Sequence, residues 1–216
     1  IRMIYSPMDA LELARQNPDR EVVFFAIGFE TTTPPTAVVL KSAKAAGVVN
    51  FSVFCNHVLT PAAMSHILKM SEERPEVPVL DGLVGPAHVS TVIGSAPYEV
   101  FARDWGLPVV VTGFEPLDML YAILMMVRQV NDGRHEVENE FTRAVTREGN
   151  RAAIALMDEV FELRDSFEWR GLGRLPRSAL RLRPEWADFD AEKRFDMVER
   201  TVADNKACAC GAILRG

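Results

Sequence analysis

The chain is poor in cysteine, tyrosine and tryptophan, with three of each among 216 residues. Cys55, Cys208 and Cys210 are too few for a disulfide scaffold and suit a reducing compartment. Basic residues are also outnumbered: 24 Lys and Arg face 30 Asp and Glu, for a net charge of −6. That balance excludes a nucleic-acid binder that works through a basic face. No apolar run reaches the length of a membrane span, so no membrane partner is expected. No signal peptide is visible, and a cytoplasmic protein is expected. What the chain does have is apolar content, 48%, enough to bury a substantial core.

That content is organised. Four short β-rich runs recur, at Val22–Ile27, Phe51–Cys55, around Gly82–Val84 and at Pro108–Thr112. Helical spacing follows each, over Thr36–Ala46, Pro61–Met70, Val89–Trp105 and Pro116–Val130. Gly47 and Gly106 stand where C-caps belong. Apolar strands alternating with helices predict an α/β fold, a Rossmann-like parallel sheet with helices on both faces. A helical and loop segment then leads into the cysteine-containing tail. Residues 137–165 predict one or two long helices, 169–182 a loop, and 188–203 an amphipathic helix.

In an open parallel sheet, ligands bind beyond the carboxyl ends of the strands. The four predicted strands end in Gly28-Phe29-Glu30-Thr31-Thr32-Thr33, Asn56-His57, Pro86-Ala87-His88 and Gly113-Phe114-Glu115. If all four belong to one sheet, Glu30, His57, His88 and Glu115 share one rim. Gly28 would permit a tight exit from its strand. One threonine would cap the next helix, with Pro34 or Pro35 in its first turn. Free N–H groups and hydroxyls there could hold an anion. Plainer roles exist for each residue. Glutamates are favourable near helix starts, the histidines can be structural hydrogen-bonders, Cys55 a buried inert thiol, and Met119, Met125 and Met126 helix core. Cys208 and Cys210 form a Cys-x-Cys-Gly that fits part of a thiolate metal or iron–sulfur site, or a redox pair.

Several strings resemble the HypD family of hydrogenase maturation factors: GFETTTPPTA (28–37), GPAHVSTVIG (85–94), VVVTGFEPLDML (109–120), VENEFTRAV and the later GN (137–150), VFELRDSFEWRGLGRLPRSAL (160–180), DFDAEKRF (188–195) and CACGAILRG (208–216). The resemblance runs nearly end to end. It implies a scaffold on which an iron ion receives cyanide and carbon monoxide, working with a HypC-type chaperone and a HypE-type cyanide-transfer protein. It implies a 4Fe–4S cluster as well. On this resemblance Glu30, Thr31, Thr32 and His88 carry the chemistry, and the strand-end rim adds Glu115. Gly28, Phe29 and Pro86 shape the cleft, and Cys208 and Cys210 begin the cluster ligands. Residues 1–20 would end a preceding α/β domain, 21–185 form the central one, and 186–216 begin the cluster region. The family's N-terminal and later C-terminal cysteines are not in this sequence, so a central fragment with an incomplete ligand set is expected. The rival expectation is a metal-dependent hydrolase or transferase using the Glu/His rim.

Overall fold

The computed structural model describes residues 1–72, 80–197, 202, 205 and 207–215. Along the chain run α1 (Pro7–Gln16), β1 (Val22–Gly28), α2 (Thr33–Ala45), β2 (Phe51–His57), α3 (Thr60–Glu72), β3 (Leu83–Pro86), α4 (Ala87–Ile93), α5 (Glu99–Trp105), β4 (Val109–Thr112), α6 (Pro116–Asn131) and β5 (Val137–Asn139). Then come α7 (Arg151–Val160), β6 (Phe161–Leu163), β7 (Ser166–Trp169), β8 (Gly173–Pro176), β9 (Leu180–Leu182), α8 (Ala191–Arg194) and α9 (Cys210–Arg215). The fold is α/β with parallel sheets flanked by helices, as the alternating pattern predicts. It forms two compact units, one of residues 1–59 and 155–209, the other of 60–154 and 210–216. Among the described residues no helix is long and apolar enough to cross a membrane.

In the first unit β1 and β2 pair in parallel, Val22 opposite Phe51 and Gly28 opposite His57. Helix α1 starts on a capping box. Ser6 accepts from the Met8 N–H, and the Asp9 carboxylate accepts from the Ser6 N–H at 3.1 Å. Helix α2 ends in a Schellman motif: Gly47 takes φ +62°, its N–H donates to Lys44, and the Val48 N–H donates to Ala43. The core gathers Leu11, Leu40, Phe51, Val53, Leu182 and Trp186. Arg194 of α8 donates to the Val49 and Phe51 carbonyls and pairs with Glu21 at 2.8 Å.

The second unit holds a separate sheet in the order β3-β4-β5, all parallel. Its core gathers Tyr98, Phe101, Val109, Val111 and Val145. Helix α6 turns Asp118, Ala122 and Gln129 inward. Met119, Met125 and Met126 are only half-buried, so they are not the core of that helix. Gln129 is satisfied at both ends. Its amide donates to Glu138 at 2.8 Å, and its oxygen accepts from the Glu136 N–H at 2.9 Å.

Five expectations are corrected. The four predicted strands fall in two sheets, not one. Residues 137–165 hold one helix, α7, between the short strands β5 and β6. Residues 169–182 are not a loop: β7 pairs antiparallel with β8 through a turn in which Gly171 and Gly173 take positive φ, and β9 pairs with β6. Residues 188–203 are not one helix. A 3-10 turn over Pro184–Phe189 gives way to α8 as the Asp190 side chain caps it, and Phe195 is extended. Residues 198–201 and 203 lie outside the described residues. Likewise the helix expected over 89–105 breaks into α4 and α5 at Gly94, whose φ of +80° and ψ of −176° suit glycine alone.

Candidate functional site

The first site stands where β1 ends. Gly28 leaves the strand at φ +117°, and a Cβ there would meet the Thr32 hydroxyl at 2.5 Å. Thr32 folds back over that gap. Its hydroxyl lies 2.9 Å from the Phe29 carbonyl and 3.2 Å from that of Ile27. Thr33 donates to Phe29, and the Thr36 hydroxyl lies 3.1 Å from the Thr32 carbonyl. The threonines therefore close a turn. Thr32 holds the N-cap position of α2 but makes no side-chain cap bond, which corrects that expectation. The anion site is weakened for the same reason. Pro34 and Pro35 bring no N–H to the first turn, and the Thr32 N–H is already given to Phe29.

His57 ends the neighbouring strand and is 1% exposed. Its Nε2 lies 2.9 Å from the Thr36 hydroxyl and its Nδ1 3.3 Å from that of Thr32. Burial pushes the imidazole down to about 4, while a bond to the Gly28 backbone acts in the opposite sense. The ring is therefore neutral at pH 7. Phe161 presents its ring edgewise at 5.9 Å. Thr31, Thr32, Thr36 and His57 line, together with Phe24 and Ile27, a cavity of about 380 Å³. No charged side chain lines it among the described residues. Glu30 is 2% exposed and Phe29 packs near Trp169, 6.1 Å between ring centres.

The second unit carries the other expected residues. Pro86 pairs with Thr112 in register, so His88 and Glu115 follow adjacent strand ends. His88 is exposed, and its ring packs tilted against Phe114 with 5.1 Å between ring centres. Glu115 starts α6 with its side chain 80% exposed, 3.8 Å from Arg143. Arg143 bonds Asp118 at 2.6 Å, and that bond holds the guanidinium above its usual range. A Cβ on Gly113 would meet Asp118 and the Phe141 ring. The repeated Gly-Phe-Glu thus has a packing cause. In each unit the glycine makes room for a helix-start side chain turned back over the strand end. The glutamates differ: Glu30 is buried and Glu115 is not.

The single four-residue rim is corrected accordingly. Glu30 follows and His57 ends a strand of one sheet, while His88 and Glu115 follow strands of another. Among the described residues no group of three or more His, Cys, Asp or Glu is placed to hold a metal. A 4Fe–4S cluster takes four thiolates, and the chain has three cysteines. Cys55 is unsuited, since its buried thiol points at the Leu180 carbonyl at 3.4 Å. Cys208 accepts from Arg170 at 3.3 Å, and Cys210 is exposed at the start of α9. These residues do not by themselves complete a cluster.

Burial raises the Cys55 thiol to about 11. Iodoacetamide at pH 8 is expected to leave Cys55 unmodified in the folded protein while labelling Cys210, by peptide mass mapping. Labelling of Cys55 at the rate seen after denaturation would contradict its burial.

The sequence profile described as the hydrogenase formation hypA family, HypD, matches residues 1–216. The hydrogenase maturation factor HypD of Cupriavidus necator is 66% identical over 218 residues, spanning 100% of this chain and 57% of that protein. The factor of the same name from Azotobacter vinelandii is 64% identical and that from Escherichia coli 43% identical, each over the whole chain and 57% of the relative. The chain thus spans a little over half the length of these curated relatives.

Proposed function

Because the chain belongs to the HypD family, we propose that it serves hydrogenase maturation, in the cytoplasm, as part of a scaffold on which the Fe(CN)2CO group is assembled. The iron with its cyanide and CO is the cargo. A HypC-type chaperone and a HypE-type cyanide-transfer protein are the proposed partners. A 4Fe–4S cluster would include Cys208 and Cys210 among its ligands, with the rest supplied from outside this chain. The observation that carries the proposal is the match of the family profile over all 216 residues.

The local chemistry is compatible with the role. Glu30 is a buried carboxylate next in sequence to Thr31, which lines a largely apolar cavity with no charged side chain among the described residues. Such a carboxylate can hold or pass a proton where a small ligand is oriented. Thr31 lines the same cavity and can orient a ligand through its hydroxyl. In the other unit His88 is exposed against Phe114, where an imidazole can donate or accept a hydrogen bond to a bound ligand. Glu115 would act as a carboxylate anchored by Arg143.

The test is infrared spectroscopy. The protein from its whole reading frame, expressed anaerobically with its chaperone and co-purified, should show iron-bound cyanide and CO stretches. Glu30→Gln and His88→Ala should each lower those bands, and hydrogenase activity in a complemented strain, by about 10-fold or more. Normal maturation in both variants would remove them from the site. Absence of the bands in a folded, chaperone-bound protein would refute the scaffold function.

A further inference from the structure

The ring of His57 connects parts of the first site that are distant in sequence. We infer that His57 is a positioning residue of this site: bonded to the hydroxyls of Thr32 and Thr36, it fixes the turn on which Glu30 and Thr31 stand. The inference rests on the scaffold function proposed above.

Proton accounting supports it. Each threonine hydroxyl has one proton and two lone pairs. A neutral imidazole has one N–H and one bare nitrogen. With the proton on Nδ1, the ring donates to Thr32, Thr32 passes its own proton to the Phe29 carbonyl, and Thr36 gives its one proton to Nε2 at 2.9 Å instead of to the Thr32 carbonyl at 3.1 Å. Every member of the chain is then satisfied by an uncharged ring. The link also crosses the sheet. Gly28 and His57 are register partners on adjacent strands, and α2 begins at Thr33. One side chain therefore holds β2, the turn and the first helical turn together. Glu30 and Thr31 lie between Gly28 and Thr32, both of which touch this network. Displacing Thr32 by a fraction of an ångström would re-aim the two residues before it. Phe161 and the threonines enclose the ring, and no charged group lines the cavity on its other side among the described residues.

Chemical mimics separate this role from simple packing. His57→Asn places an amide near Nδ1 and can keep the Thr32 bond. His57→Gln places one near Nε2 and can keep only the Thr36 bond. His57→Phe keeps volume and neither bond. All are made in the protein from its whole reading frame, co-purified with its chaperone, and infrared bands are normalised to folded protein. The Asn variant is expected near the unsubstituted level and the Phe variant about 10-fold below it. Equal yields from Asn and Phe, or yields that follow melting temperature alone, would overturn the inference.

If Phe fails to fold, a double-mutant cycle of His57→Gln with Thr32→Val decides. Both remove the same bond, so the double variant should lose no more than the more affected single one. Fully additive losses would overturn the inference. Nitrogen-15 spectra of the ring at pH 7 give a readout apart from maturation. A single tautomer protonated on Nδ1 supports the arrangement, and an averaged pair contradicts it. Absence of iron-bound cyanide and CO in the unsubstituted protein would instead defeat the scaffold function, with the ring spectrum still deciding the geometry.

Discussion

Gly94→Ala is expected to remove most soluble protein, with a loss of stability on the order of 3 kcal/mol or more. Two costs coincide at this position. The backbone sits at φ +80° and ψ −176°, a region that a side chain excludes. The space is also taken. A Cβ would stand 2.2 Å from the Arg147 carbonyl oxygen and 2.6 Å from the Gly149 nitrogen. These are backbone atoms, so no rotamer change relieves the clash. Gly149 is the reciprocal case, at φ +67° with a Cβ 2.4 Å from the Gly94 nitrogen and from the Val92 oxygen. Around this contact the Ala96 N–H donates to Arg147 and the Asn150 N–H to Val92. Separating the two segments would break bonds on both sides. Soluble yield and thermal unfolding provide the check. Gly47→Ala is the control, because it shares a positive φ but has nothing within 4 Å of the added Cβ. It should cost about 1 kcal/mol. Equal losses at the two positions would show that backbone angle, and not close approach, sets the effect.

The second large effect is a pH dependence. His57 is held at about 4 in the folded protein, against an ordinary value of 6.5. Between those values the unfolded chain binds the proton more readily. Stability is therefore full above pH 6.5, falls as pH drops toward 4, and loses nothing further from this group below that. The loss should total roughly 3 kcal/mol. Asp190 works in the opposite sense. Burial raises its carboxyl, so protonation favours the folded state as pH falls. Comparing the unsubstituted protein with His57→Gln cancels that contribution. Denaturant unfolding at pH 7 and at pH 4.5 should show a slope in the first that is largely absent in the second. A matching slope in both would mean that the ring is hydrated.

The α/β class was legible because each parallel strand is an apolar run and each following helix is periodic. Which strands pair was not. Phe51–Cys55 and Pro108–Thr112 look alike as sequence, and nothing local assigns one to β1 and the other to β3. The strands from 161 to 182 were hidden for another reason. They are three or four residues long, interrupted by arginine, glycine and proline, and their alternation is too brief to register. At the site, Gly28 and the threonines were visible as turn chemistry, but the direction of their hydroxyls was not. Capping and back-bonding use the same residues. His57 carried no spacing signal, because its partners lie 25 and 21 positions earlier. The inward face of α6 misled for a physical reason too: Gln129 is buried because two strand-adjacent groups satisfy it, a tertiary fact.

The turn after β1 also bears on how this sequence can drift. A side chain at position 28 needs the space that the Thr32 hydroxyl occupies. A change at 32 removes a partner of the imidazole at 57, and a change at 36 removes the other. Across diverging lineages these four sites should be replaced together or not at all, whereas the exposed Ala45, at the far end of the same helix, is free to wander.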